Sequence, residues 1–146
     1  MDITLPFRYK KLGYAAINVT DLARSVAFYR DIIGLDVVES YDDLAFLRCG
    51  RDHHSIVLYQ APGRGLKRVA FEMEQESDVR SAFEHFQSQA MDPQWVSKEE
   101  AKRFKQGLGF RVRERHSGLL MELFAGAMHM SQPFVPTVAK ITRVGH

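Results

Sequence analysis

Two stretches of this sequence are copies of each other. The segment LGYAAINVTDLARSVAFYRDIIGL (Leu12 to Leu35) is echoed by LKRVAFEMEQESDVRSAFEHF, which begins at Leu66. Leu12, Ala16 and Val19 meet Leu66, Ala70 and Met73 at a constant offset of 54 residues, and Phe28 meets Phe83 after one extra residue. The copies also close alike, since HSIVLYQAPG (His54 to Gly63) aligns with SGLLMELFAG (Ser117 to Gly126). A period of this length present twice implies a duplicated module, whereas a solenoid needs three or more stacked repeats. Both copies must therefore fold alike.

In the first copy, Leu12 to Val19 alternates with period two and predicts a strand. Ile17 and Val19 face one way; Tyr14, Ala16 and Asn18 face the other. Thr20 or Asp21 is a natural N-cap for a helix in which Leu22, Val26, Tyr29 and Ile33, with Ile32 beside them, form an apolar stripe. Gly34 is the expected left-handed stop. Leu35 to Tyr41, Asp43 to Cys49 and His54 to Gln60 read as three short strands, with Asp42-Asp43 and Gly50-Arg51-Asp52 as turns.

After the Ala61 to Gly65 link, Leu66 to Met73 is the corresponding strand, with Val69, Phe71 and Met73 opposite Arg68, Ala70 and Glu72. Ser77 or Asp78 caps a helix whose apolar side is Val79, Ala82, Phe83, Phe86 and Ala90. Gln94 to Val96 is a short strand candidate, and Ser97-Lys98-Glu99-Glu100 resembles a capping box opening a polar helix to about Phe104. Gly109 to Arg115 and Leu119 to Phe124 form a hairpin around His116-Ser117-Gly118, while Met1 to Lys11 reads as a loose lead-in. One copy is strand, helix, three strands, too small to bury its sheet unaided. The pair predicts an α+β domain over residues 1–126. Its two βαβββ modules, about 12–62 and 66–126, form a curved eight-stranded mixed sheet, an incomplete barrel with helices outside and a concave face inside.

Composition narrows the function classes. At 146 residues the chain suits one domain. Its net charge is +2 with scattered basic residues, the longest cluster being Arg8-Tyr9-Lys10-Lys11. That argues against a nucleic-acid partner, which would need a basic stripe on one face. No apolar run approaches the ~18 residues of a spanning helix, so no membrane partner is expected. MDITLPF lacks the form of a signal peptide, and the single Cys49 fits a reducing compartment; the expected localisation is cytoplasmic.

LGYAAINVTDLARSVAFYRDIIGLDVV resembles the opening of vicinal oxygen chelate proteins, the superfamily of glyoxalases, bleomycin-resistance proteins and type I extradiol ring-cleaving dioxygenases. MELFAGAMHMSQPFVPTVAKITRVGH is similar to the crossover of extradiol dioxygenases, where an acidic strand and a Pro-Phe-x-Pro linker lead to the Gly-His that opens a catalytic domain. The resemblance implies a role in aromatic compound catabolism and makes residues 127–146 a linker toward a catalytic C-terminal domain in cis.

The metal-binding members of that family place a ligand on the first strand of each module and a glutamate on the last. Those positions fall on Tyr14, Arg68 and Glu122. Extradiol iron wants two neutral imidazoles and a carboxylate, and a guanidinium has no lone pair to give. The expectation is no catalytic residue and no cofactor in this chain, with Fe(II) in a full-length parent. Tyr14, Arg68 and Glu122 become degenerate positions that share the concave face with Asn18 and Glu72. His146 matches the first iron ligand of the catalytic domain, and is a metal ligand only if the chain continues.

Adjacent His53 and His54, read as strand residues, should face opposite ways. His85 and His116 read as solvated, and His129 carries no partner pattern. Three functional readings are open to these residues. The first is the N-terminal, non-catalytic domain of an Fe(II)-dependent extradiol dioxygenase, an oxidoreductase. The second is a stand-alone, metal-free small-molecule-binding protein of the glyoxalase/bleomycin-resistance type, holding a small aromatic ligand against Tyr14, Arg68, Phe46 and Phe110. The third, a glyoxalase-like metalloenzyme completed across a dimer, needs ligands that Tyr14 and Arg68 do not supply. A homo-oligomer would form through the apolar Phe134 to Val138 segment.

Overall fold

The computed structural model describes residues 4–135. The first copy supplies β1 (Tyr9–Val19), α1 (Leu22–Phe28), β2 (Asp36–Ser40), β3 (Leu44–Arg48) and β4 (Ile56–Gln60). The second supplies β5 (Gly65–Met73), α2 (Glu76–Ser88), β6 (Gln94–Trp95), α3 (Lys98–Arg103), β7 (Gly109–Arg113) and β8 (Leu120–Phe124). All eight strands belong to one mixed sheet in the order β2-β3-β4-β1-β5-β8-β7-β6. In each copy the last strand returns parallel to the first, β4 to β1 and β8 to β5, and the strands between pair antiparallel. The duplicated βαβββ architecture is thus present, and the fold is α+β. Among the described residues no helix is long and apolar enough to cross a membrane.

The described chain condenses into two compact units that share β1. One holds the residues up to Tyr14 together with Lys67–Met128; the other holds Ala15–Leu66 and the stretch from His129.

In the unit built on Ala15–Leu66, Asp21 is the N-cap of α1, its side chain accepting from the Arg24 N–H at 3.2 Å. Gln60 at the end of β4 fastens the same corner: its amide donates to the Thr20 carbonyl at 2.7 Å and accepts from the Leu22 N–H at 2.9 Å. Leu22 and Val26 then pack on Ala45, Leu47 and Leu58. The helical stripe does not continue as the period of 3.6 predicts. Tyr29–Ile33 is π-wound, the Gly34 N–H reaching back to the Tyr29 carbonyl at 2.9 Å. A π-turn holds an extra residue, which rotates the end of the helix off the stripe; Ile32 is 68% exposed and Ile33 49%. Gly34 ends the element at φ 91°, left-handed as expected.

In the other unit the supposed lead-in is structural. β1 begins at Tyr9, and Phe7 is buried with Met73, Val79, Ala82, Phe110, Val112, Leu123 and Ala125. The N-cap of α2 is Gln75, ahead of both residues expected for that role. Gln75 is extended, and it exchanges capping-box bonds with Asp78 at N3, whose carboxylate also accepts from the Arg8 N–H at 3.0 Å. Ala90 lies past the end of α2 at φ 58°, exposed, and takes no part in the apolar face. Ser97 caps α3 by accepting from the Glu100 N–H at 3.1 Å. Gly13 permits a close crossing: a Cβ there would stand 2.7 Å from the Phe124 ring and 3.2 Å from the Ala70 carbonyl.

Candidate functional site

Strand alternation brings Tyr14 on β1, Arg68 on β5 and Glu122 on β8 together within one unit. All are essentially out of solvent, at 2%, 1% and 0% exposure. The Arg68 Nε donates to the Tyr14 hydroxyl at 2.9 Å, and that hydroxyl donates to Glu122 Oε1 at 3.3 Å. Arg68 Nε and Glu122 Oε1 form an ion pair at 3.6 Å. The guanidinium carbon lies 5.5 Å from the Tyr14 ring centroid and 5.2 Å from that of Phe104, within cation–π range.

Three further residues complete the cluster, and no sequence pattern pointed to them. Arg111 sits directly opposite Glu122 across the β7–β8 pair and donates from Nε to Glu122 Oε1 at 2.7 Å. Its other nitrogens hold Glu100 of α3 in a two-pronged pair at 2.9 and 3.1 Å. Gln106 donates from Nε2 to Glu122 Oε2 at 2.9 Å. Two guanidiniums thus face two carboxylates, and the group is neutral as a whole. Burial, followed by the Glu122 charge, pushes the Tyr14 phenol well above its ordinary range, although Arg68 and Arg111 oppose this. Burial lowers the Arg111 pKa, but Glu122 and Glu100 more than offset it, so this arginine is held above its usual value. The phenol stays protonated, as its bond to Glu122 requires.

Could this set hold the divalent ion that the resemblance implies? Such an ion needs lone pairs from neutral imidazoles or free carboxylate oxygens. Arg68 is a fixed cation with none to give. The Tyr14 hydroxyl spends its proton on Glu122, and both Glu122 oxygens already accept hydrogen bonds. These residues do not fit a metal ion. Among the described residues no group of three His, Cys, Asp or Glu side chains is arranged to hold one.

The other candidates fall elsewhere. Phe46 and Phe110 are fully buried, each in its own unit: Phe46 lies against His53 and His54, and Phe110 lies among Phe83, Phe86 and Trp95. Each is a packing residue of its own unit. His53 and His54 precede β4, so strand alternation does not apply to them. Both are buried, their Nδ1 atoms are 3.0 Å apart, and His53 Nε2 pairs with Glu39 Oε2 at 2.6 Å. His129 pairs with Asp52 at 3.3 Å, a contact no sequence pattern announced. His85 is half-buried beside Phe7 and Phe86, and His116 is exposed in the hairpin turn. Asn18 is half-buried in the other unit, and Glu72 is buried, accepting from the Ala127 N–H at 3.3 Å. His146 lies outside the described residues.

Known proteins share this architecture and parts of this sequence. A family model described as the Glyoxalase/Bleomycin resistance protein/Dioxygenase superfamily matches residues 11–94. The manganese-dependent 2,3-dihydroxybiphenyl 1,2-dioxygenase of Geobacillus genomosp. 3 is 30% identical over 104 residues, covering 70% of this chain and 33% of that protein. A variant of homoprotocatechuate 2,3-dioxygenase from Brevibacterium fuscum superposes with a TM-score of 0.78 at 29% identity, over 89% of this chain and 36% of that one. A crystal structure of catechol 2,3-dioxygenase gives 0.81 at 23% identity, over 89% and 44%, a likeness of fold. The chain therefore spans between a third and less than half of these relatives, and its similarity to extradiol dioxygenases extends over part of their length. On the family match, the paired βαβββ modules and the parallel return of each last strand, this chain belongs to the glyoxalase/bleomycin resistance/dioxygenase superfamily.

Proposed function

We propose that this chain is the N-terminal, non-catalytic domain of an Fe(II)-dependent extradiol dioxygenase, acting in cis to support, orient or oligomerise a catalytic domain that opens catechol-type rings. One observation carries the reading. Glu122, the carboxylate at the family's third ligand position, already accepts from Tyr14, Arg111 and Gln106, with the Arg68 cation alongside. Iron belongs to the partner domain, and this cluster serves as a buried polar lock within its own unit. The partial coverage of the relatives supports the same division of labour. A stand-alone binder has less support, because Phe46 and Phe110, two of its aromatic contacts, are closed into cores.

The test is to purify the chain, add Fe²⁺ anaerobically, and offer 2,3-dihydroxybiphenyl or catechol with O₂. The expected outcome is no yellow ring-cleavage product and no stoichiometric iron in the chain after desalting. Turnover by this chain would overturn the reading.

A further inference from the structure

We propose that the cleft framed by α2, α3 and the loop leading into β7 is a binding site for a small organic anion, a carboxylate carried on an apolar body. The cavity measures about 500 Å³, within the range of small-molecule sites. Its floor is apolar and half-buried: Val96, Ala101 and Leu108. Its rim is cationic. Arg80 is paired with Glu76 at 2.8 Å, which leaves Lys98 and Lys102 to set the sign of the opening. These two lysines stand four apart on α3, so they share a helix face where like charges repel each other. Neither ammonium group has an ion-pair or hydrogen-bond partner among the described residues. An anion between them relieves that repulsion, and the apolar floor adds affinity only if the anion brings hydrocarbon to cover it.

That combination selects an aryl or alkyl carboxylate over a bare inorganic anion, which would leave Val96 and Leu108 uncovered. It also disfavours a neutral ring, which would leave both ammonium groups unanswered. Tyr14, Arg68 and Glu122 do not line the cleft, although Gln106, which donates to Glu122, does; occupancy of the cleft is independent of whether this chain supports a catalytic domain.

The experiment is a calorimetric and amide-shift titration of the whole chain with phenylacetate, beside phenylacetamide and inorganic phosphate. A ligand of this size should bind with a Kd on the order of 1 mM, with shifts centred on Val96, Ala101 and Leu108. Replacing both rim lysines (Lys98→Glu with Lys102→Glu) should weaken phenylacetate at least about tenfold. Arg64→Glu, the same charge reversal at an exposed position outside the cleft, should leave the Kd unchanged. Saturation absent at about 10 mM would overturn the proposal. So would phosphate binding as tightly as phenylacetate, which means an adventitious ion only. Phenylacetamide binding equally well, or an unaltered Kd in the double variant, would also sink it.

Discussion

A carboxylate taken out of water is costly unless its charge and lone pairs are answered, and Glu122 is answered from four directions. Removing the hub differs from removing a spoke. Glu122→Gln removes the carboxylate that pairs with both Arg68 and Arg111, and breaking a buried pair in this way costs about 3–5 kcal/mol. Arg68→Met leaves Glu122 held by Arg111, Gln106 and Tyr14, so it should cost clearly less. Urea unfolding of the two variants checks the order, and an equal or reversed ranking would show that Glu122 is not the hub. At the β7–β8 turn a different carboxylate is strongly perturbed. The Ser117 hydroxyl and the backbone N–H groups of His116 and Ser117 hold the Glu114 pKa at about 2, against an ordinary 4.5. A carboxylate depressed in the native state stabilises it above its unfolded pKa. The contribution of Glu114 is therefore complete above pH 4.5 and fades as pH falls toward 2. A carboxyl NMR titration reads this directly, and Glu114→Gln should abolish that part of the acid sensitivity.

Which parts of the elements were legible depends on what each pattern encodes. The family resemblance singled out Tyr14, Arg68 and Glu122, and strand alternation was enough to set them on one face, because period two fixes a face whatever the exact strand ends. Arg111 was lost through register. A hairpin closed symmetrically about His116-Ser117-Gly118 sets Arg111 opposite Leu123, on the wrong face for the cluster. The observed turn pairs Glu114 with Leu119 and shifts Arg111 to Glu122, and a slip of one residue flips every side chain. Glu100 and Gln106 were invisible because nothing local ties α3 and its trailing loop to β8. The helical period failed at Tyr29 for a similar reason, since a π-turn adds a residue without altering composition. Ile32→Ser should accordingly change stability by less than about 0.5 kcal/mol. Leu22→Ala, at 6% exposure, should cost about 2–5 kcal/mol. Chemical denaturation separates these outcomes, and a costly Ile32→Ser would restore the continuous stripe.

For the molecule as a whole, an ion that binds only the native state must raise its stability. A site filled at one hundred times its dissociation constant adds about 2.7 kcal/mol, a shift of several degrees for a domain of this size. Millimolar Mn²⁺ or Fe²⁺ should leave the melting temperature of this chain unchanged, and EDTA should not lower it. A reproducible rise with either metal would contradict the donor set around Glu122.

The division of β1 has a last consequence, for the order of events at the ribosome. Tyr14 is translated before most of the first copy, yet it belongs to the unit completed by Lys67–Met128. The Tyr14 hydroxyl must therefore wait for its partner Glu122 while the whole first copy and most of the second emerge from the exit tunnel. Severing the chain between the copies would part the second from Phe7 of its core and Tyr14 of its polar cluster, so what evolution duplicated in tandem does not divide cleanly into two separate halves.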